Sequence, residues 1–174
     1  MHVDYRRLTK ADASPFRETR LAAFKAHPEA FGSSFDEFAQ KPLEDFEAWL
    51  EEMVTFGAFS DGQLVGIGAY FRENGKKMEH RGYVISMFVD PSVRGQGIAR
   101  QIIELLCIEA KQNGIIQLHL GVGATNQSAI KSYKRAGFTT YGTEPRSLYV
   151  NGQYIDEELM VRFLDEAPRR TEHE

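Results

Sequence analysis

Residues Arg94-Gly95-Gln96-Gly97-Ile98-Ala99 have the makings of a phosphate cradle. They follow a β-type run, Val84–Val89, which Asp90-Pro91 brings to a stop, and they open an apolar-periodic helix. A glycine-rich turn at a helix start leaves backbone N–H groups unpaired, and the helix dipole adds partial positive charge there. Such an arrangement holds a phosphate or diphosphate. Glycine suits it by admitting positive φ and by placing no Cβ between ligand and amides. The plain alternative is a strand-to-helix turn whose glycines serve tight packing. The run is not the dinucleotide fingerprint, which needs G-x-G-x-x-G and a later acidic residue. Nor is it a P-loop, because no Gly-Lys-Ser/Thr follows.

Arg94 and Arg100 flank this turn. A second segment further on reads Asn126-Gln127-Ser128-Ala129-Ile130-Lys131-Ser132-Tyr133-Lys134-Arg135-Ala136-Gly137-Phe138. Its Lys131, Lys134 and Arg135 stand at i, i+3 and i+4, one face of a helix. In a chain of net charge −4 a polyanion must meet a local positive patch, and these residues with Arg94 and Arg100 could supply it. Taken without the glycine turn, they read as a solvated helix face.

The pattern R-G-Q-G-I-A followed by N-x-x-A-I-x-x-Y-x-x-x-G-F resembles the GNAT superfamily of N-acetyltransferases, which use acetyl-coenzyme A. The resemblance is clearest from Val84 to Phe138. It extends more loosely, as an order of strands and helices, from the N-terminus to about Leu164. It implies an α/β acetyltransferase fold: a mixed central sheet, flanked by helices, whose two parallel crossover strands splay apart around the pantetheine arm. It also implies direct attack of an amine on the thioester with no acyl-enzyme, so Cys107 is not required.

The resemblance distributes roles over this chain as follows. Backbone groups of Met87, Phe88 and Val89 align pantetheine and the acetyl carbonyl, where an N–H can donate to the developing oxyanion. The amides of Gly95, Gln96, Gly97, Ile98, Ala99 and Arg100 hold the diphosphate, with Arg94, Lys131 and Lys134 supplying charge. Asn126 contacts the pantetheine arm, caps its helix, or does both. Tyr133 corresponds to the general acid; a phenol pKa of about 10 and a thiol pKa of about 8.5 make proton transfer to the thiolate nearly balanced. Its alternative role is packing with Ile130 on the same helix face. Many relatives carry a basic glutamate on one of the central strands, but the equivalent positions here are Tyr83 and Gly121. Glu79, His80, His119 or a water chain remain for that task, and a histidine placed like His119 is more often a satisfied core histidine. By analogy the loop Phe31–Phe38, with Asp36 and Glu37, and the last hairpin, with Tyr149, Tyr154 and Asp156, wall the acceptor site. The acceptor is a primary amine of a small molecule or a protein. The rival reading is the same fold holding coenzyme A as a sensor or scaffold without turnover.

The elements that must position these groups read as β-α-α-β-β-β-α-β-α-β-β. Val3–Leu8 is a strand. Thr9 caps a helix to about Lys25, and Pro42 opens another to about Met53 with Leu43, Phe46, Trp49 and Leu50 on one face. Phe56–Ser60 and Gln63–Phe71 form a hairpin around Asp61-Gly62, and Tyr83–Val89 is the next strand. The helix Gly97–Gln112 buries Ile98, Ile102, Leu105 and Leu106 and closes at Gly114. Ile115–Val122 is a strand with Ile116, Leu118, Leu120 and Val122 on one face and Gln117, His119 and Gly121 on the other. Asn126 starts a short helix that stops at Gly137. Phe138–Val150 and Gln153–Phe163 form a hairpin around Asn151-Gly152.

The 174 residues suit one domain, 1–164, followed by a polar tail, 165–174, expected to be disordered. No apolar run approaches transmembrane length, and Met1–Arg7 has no signal-peptide core, so no membrane role is expected. The lone Cys107 forms no internal disulfide, which fits a reducing cytoplasm. The net charge argues against nucleic-acid binding, and no metal site is expected. Monomer and homodimer both remain open.

Overall fold

A computed structural model of the chain describes residues 2–166; the polar tail beyond Glu166 lies outside the described residues. The strands are β1 (Val3–Arg7), β2 (Val54–Ser60), β3 (Gln63–Arg72), β4 (Arg81–Val89), β5 (Gln117–Gly123), β6 (Thr139–Val150) and β7 (Gln153–Phe163). The α-helices are α1 (Ala13–Ala26), α2 (Phe35–Ala39), α3 (Leu43–Glu52), α4 (Ile98–Gln112) and α5 (Gln127–Arg135). The strands make one mixed sheet in the order β1-β2-β3-β4-β5-β7-β6. β4 and β5 pair in parallel, Arg81 to Tyr83 against Gln117 to His119, while β1-β2, β2-β3, β5-β7 and β6-β7 pair antiparallel. This is the mixed α/β sheet with flanking helices that the sequence implied.

One compact unit takes the described chain to Phe71 together with Ile85–Leu106. Its core is aromatic: Phe16, Phe24, Phe38 and Phe46 are buried, with Leu8, Leu50, Ile67 and Phe88. Phe24 and Phe38 stand 4.7 Å apart by centroid, and Phe38 and Phe46 5.9 Å. Arg20 of α1 is buried in this cluster, its guanidinium 4.8 Å from Phe24, 4.9 Å from Trp49 and 5.0 Å from Phe38. Burial pulls its pKa down to about 10, so it keeps its charge at neutral pH.

The stretch Phe31–Phe38 is not wholly a loop. Ser34 starts α2 with a capping box: its hydroxyl accepts from the Glu37 N–H at 3.3 Å, and Glu37 Oε2 accepts from the Ser34 N–H at 3.0 Å. That carboxylate therefore serves the helix end. Leu43, expected on the buried face of α3, is exposed; Phe46 and Leu50 are buried.

The face of α4 meets β3 through glycines. A Cβ on Gly66 would lie 3.1 Å from Ile98 Cγ2, and one on Gly68 would lie 2.7 Å from Ile102 Cγ2 and against Met87 Sδ. Absence of side chains there lets the helix sit close, which sets the position of its N-terminus.

The other unit takes Arg72–Val84 and the described chain from Cys107. Leu118, Leu120 and Val122 of β5 are buried as expected, but Ile116 precedes the strand and is 41% exposed. Asn151 and Gly152 both have positive φ, +50° and +77°, the type I′ geometry that Asn-Gly predicts. Cys107 is buried and is in no disulfide.

Candidate active site

The proposed phosphate turn is built by the preceding strand end. The Asp90 N–H donates to the Val65 carbonyl at 2.8 Å, and Asp90 Oδ1 accepts from the Ser92 N–H at 2.8 Å and hydroxyl at 2.6 Å. Those two donors hold the Asp90 carboxyl below its ordinary pKa, the hydroxyl most. A short 3-10 turn, Pro91–Val93, follows.

Gly95 and Gly97 then take φ of +79° and +75°, and no protein atom lies within 4 Å of where a Cβ would sit at either. The glycines are there for conformation and leave an open face. The Gly97 carbonyl accepts from the Gln101 N–H at 3.0 Å, so Gly97 is the N-cap of α4. The N–H groups of Ile98, Ala99 and Arg100 fall in the first turn, where a helix provides no acceptor. Gln96 and Arg100 are exposed. Arg94 folds back: its Nε donates to the Val89 carbonyl at 3.1 Å, and its Nη2 to His27 Nε2 at 2.9 Å.

Ahead of the turn, Met87, Phe88 and Val89 end β4, with Phe88 buried. The residue before them is unusual. Ser86 is buried and has φ of +60°, a left-handed conformation inside a strand. Non-glycine residues rarely adopt it, and such strain concentrates at functional sites. No residue pattern in the sequence announces it.

In the second unit, Asn126 Oδ1 accepts from the Ala129 N–H at 3.2 Å, so the capping role is realised. Lys131, Lys134 and Arg135 are exposed on α5. Tyr133 is half-buried. Its ring lies edge-on to Phe138 at 5.9 Å, and Ile130 of the same helix is buried. The ring pairing belongs to the helix end. The Phe138 N–H donates to the Tyr133 carbonyl and the Gly137 N–H to the Lys134 carbonyl, each at 3.0 Å, with Gly137 at φ of +88°. That is a Schellman motif with its hydrophobic contact. The Y-x-x-x-G-F pattern thus has a local structural meaning: it fixes the Tyr133 ring. Burial pushes the Tyr133 phenol above its ordinary pKa, which keeps it protonated.

Among the proton acceptors the sequence offered, His119 is committed elsewhere. It is buried; the Gln117 amide donates to its Nε2 at 2.7 Å, so Nδ1 carries the proton and reaches the Tyr141 hydroxyl at 3.3 Å. Burial lowers its pKa, with the Arg81 charge adding, so it is a neutral histidine whose one lone pair is used. Glu79 is exposed and its carbonyl accepts from Arg72; the carbonyl of His80 accepts from the Ile116 N–H at 2.9 Å. Tyr83 and Gly121 do lie together: a Cβ on Gly121 would be 3.1 Å from the Tyr83 hydroxyl. Glu157, which sequence reasoning did not single out, is 3.2 Å from that same point. On the last hairpin, the exposed rings of Tyr149 and Tyr154 lie 4.9 Å apart by centroid and are tilted by 47°, and Asp156 Oδ1 accepts from the Arg146 N–H at 2.7 Å. No cluster of three metal-ligating side chains occurs among the described residues, and no described helix is long and apolar enough to cross a membrane.

Known proteins are similar to this chain in sequence and in fold. The chain is 27% identical over 153 residues to a mycothiol acetyltransferase of Cellulomonas flavigena, covering 81% of this chain and 43% of that protein. The chain spans about two fifths of the length of the mycothiol acetyltransferases it matches. Its fold is that of a Streptococcus pneumoniae acetyltransferase of the GNAT family, with a TM-score of 0.84 at 22% identity over 93% of this chain and 99% of that one. It is also the fold of the Salmonella typhimurium protein yncA, solved with its cofactor acetyl-CoA, with a TM-score of 0.83 at 20% identity over 99% of this chain and 100% of that one. A sequence profile of the Acetyltransferase (GNAT) family matches residues 21–138, more than half of the chain, and the chain belongs to that family.

Proposed function

We propose that the protein transfers an acetyl group from acetyl-CoA directly to a primary amine. The observation that carries this reading is the turn at Gly95 and Gly97. Both residues are left-handed and open on one side, at the start of a 15-residue helix, in a chain of this family. The donor set fits a diphosphate: free first-turn amides with the positive end of the α4 dipole behind them. The amides of Gly95 to Arg100 would hold the diphosphate. Exposed Arg100, Lys131 and Lys134 would meet the remaining phosphate charge, and Arg94, through its bonds to Val89 and His27, braces the turn. Backbone groups of Met87 to Val89, re-aimed by the left-handed Ser86, would orient the thioester and donate to its oxygen as negative charge builds there. Removing one such donor elsewhere costs ~2.7–4 kcal/mol of transition-state stabilisation.

Tyr133 would protonate the departing thiolate. Its raised pKa does not disqualify it, because a thiol in the same desolvated surroundings rises too. The proposed acceptor is a small-molecule amine or a protein amine. The testing experiment has two arms. Calorimetry measures acetyl-CoA binding, and thiol release in the presence of primary amines measures turnover. Binding with turnover supports the reading; binding without turnover supports a coenzyme A sensor; no binding removes both.

A further inference from the structure

Two oxygens of different strands converge beside Gly121. The Tyr83 hydroxyl comes from β4 and Glu157 Oε2 from β7, 3.1 Å and 3.2 Å from one point, the place of the missing Gly121 Cβ. The sheet register explains the meeting. Gly121 pairs with Leu159 and Gly123 with Glu157, so Glu157 projects on the same face as Gly121. The carboxylate is held in place from the other side, because the Ser147 hydroxyl donates to Glu157 Oε2 at 2.6 Å. Glu144 stands opposite Glu157 in the β6–β7 register, exposed, with Ser147 Oγ 3.4 Å from its Oε2. Burial first, and next the charge of Glu157, push the Tyr83 phenol up to about 12; Tyr141, Glu144 and Glu73 add to it. Tyr83 is therefore a neutral neighbour, and Glu157 is half-buried. Glycine at 121 keeps the space between the two oxygens free of a side chain.

We infer that Glu157 is the catalytic base: it takes the proton from the acceptor ammonium beside Gly121. This rests on the acetyl-transfer reading above. The alternatives are weaker on geometry, since His119 has its lone pair bound to Gln117 and Glu79 is exposed. The ammonium gives one N–H proton to the Glu157 carboxylate, which passes it to water. The freed nitrogen lone pair forms the N–C bond at the acetyl carbonyl, and the C–S bond breaks with its electrons on sulfur. The second N–H proton leaves the new amide nitrogen to solvent as Tyr133 protonates the thiolate and is itself reprotonated from solvent. The sum is amide, coenzyme A thiol and one released proton.

The test compares wild type, Glu157→Gln and Glu157→Asp. Each is measured for acetyl-CoA binding by calorimetry, and for thiol release with ethanolamine, spermidine, glycinamide and a hexapeptide with a free N-terminus, from pH 6 to 10. Glu157→Gln should bind acetyl-CoA within twofold of wild type and lose roughly 10²–10⁴-fold in kcat/KM at pH 7, the usual worth of a positioned base. That loss should shrink toward pH 10, where the amine arrives already neutral. Glu157→Asp, with its carboxylate withdrawn, should fall between the two. Turnover in Glu157→Gln within threefold of wild type, with an unchanged pH profile, overturns the assignment. A wild type that binds acetyl-CoA and acetylates none of these amines even at pH 9 strikes the acetyl-transfer reading on which the assignment rests. Loss of acetyl-CoA binding by wild type itself strikes that reading too. Should Glu157→Gln unfold, a folded Glu157→Asp with full turnover and an unmoved acid limb overturns the base.

Discussion

The Tyr133 ring lies edge-on to Phe138 at 5.9 Å, and the Phe138 N–H bonds back to the Tyr133 carbonyl at 3.0 Å. One contact thus closes α5 and orients the proposed acid. Tyr133→Phe keeps the ring and the motif and removes only the hydroxyl. Thiol release should fall by roughly 10²–10⁴-fold, while the melting temperature and acetyl-CoA affinity stay near wild type. Full turnover in this variant would leave Tyr133 as a packing residue.

Exposed charge on α5 should show in ligand discrimination. If Lys131 or Lys134 meets the 3′-phosphate, acetyl-CoA should bind more tightly than its dephospho analogue, and both should weaken with added salt. Lys131→Ala with Lys134→Ala should erase the difference between the two ligands in calorimetry. A preference that survives the double change returns these residues to solvent.

The glycine contact between β3 and α4 should be costly to fill. Gly68→Ala places a methyl 2.7 Å from Ile102 Cγ2 and against Met87 Sδ. Overpacking of this kind costs about 1–3 kcal/mol, readable in urea unfolding as a lower midpoint with an unchanged slope. Gly95→Ala meets no protein atom, so any loss there comes from its φ of +79°.

Tyr83 should give the fold an alkaline limit. Its phenol ionises at about 12 in the folded chain against about 10 unfolded. Between those values the folded state binds more protons than the unfolded one, so stability is full below pH 10 and declines as pH rises through 12. Absorbance at 295 nm should show a late-titrating tyrosine that Tyr83→Phe removes and Glu157→Gln moves to lower pH. An unchanged titration in Glu157→Gln would break the proposed coupling.

Much of this was legible in the residues. Arg94 to Ala99 announced the turn, Asn151-Gly152 its hairpin, and Gly137-Phe138 the end of α5, because each depends on local backbone chemistry. Ser34 and Glu37 also spelled a capping box, which marks α2 inside the stretch read as a loop; the aromatic content of Phe31–Phe38 obscured it. The left-handed Ser86 had no local signature, since tertiary packing imposes that conformation on an ordinary residue. Glu157 was invisible for a different reason. Its place beside Tyr83 and Gly121 is set by the β5–β7 register, and one residue of slip would turn it to the opposite face. Ile116 looked like a strand-face residue by alternation, yet β5 starts one residue later and leaves it exposed.

The most direct test of acetyl transfer is calorimetry of acetyl-CoA against wild type and Gly97→Glu, paired with thiol release. Gly97 has φ of +75° on the open side of the turn, so a glutamate there opposes both the backbone conformation and the negative charge of the diphosphate. Wild type should bind acetyl-CoA and release thiol when an amine is added, and Gly97→Glu should do neither while keeping its circular dichroism spectrum. Equal acetyl-CoA affinity in a folded Gly97→Glu would contradict the account.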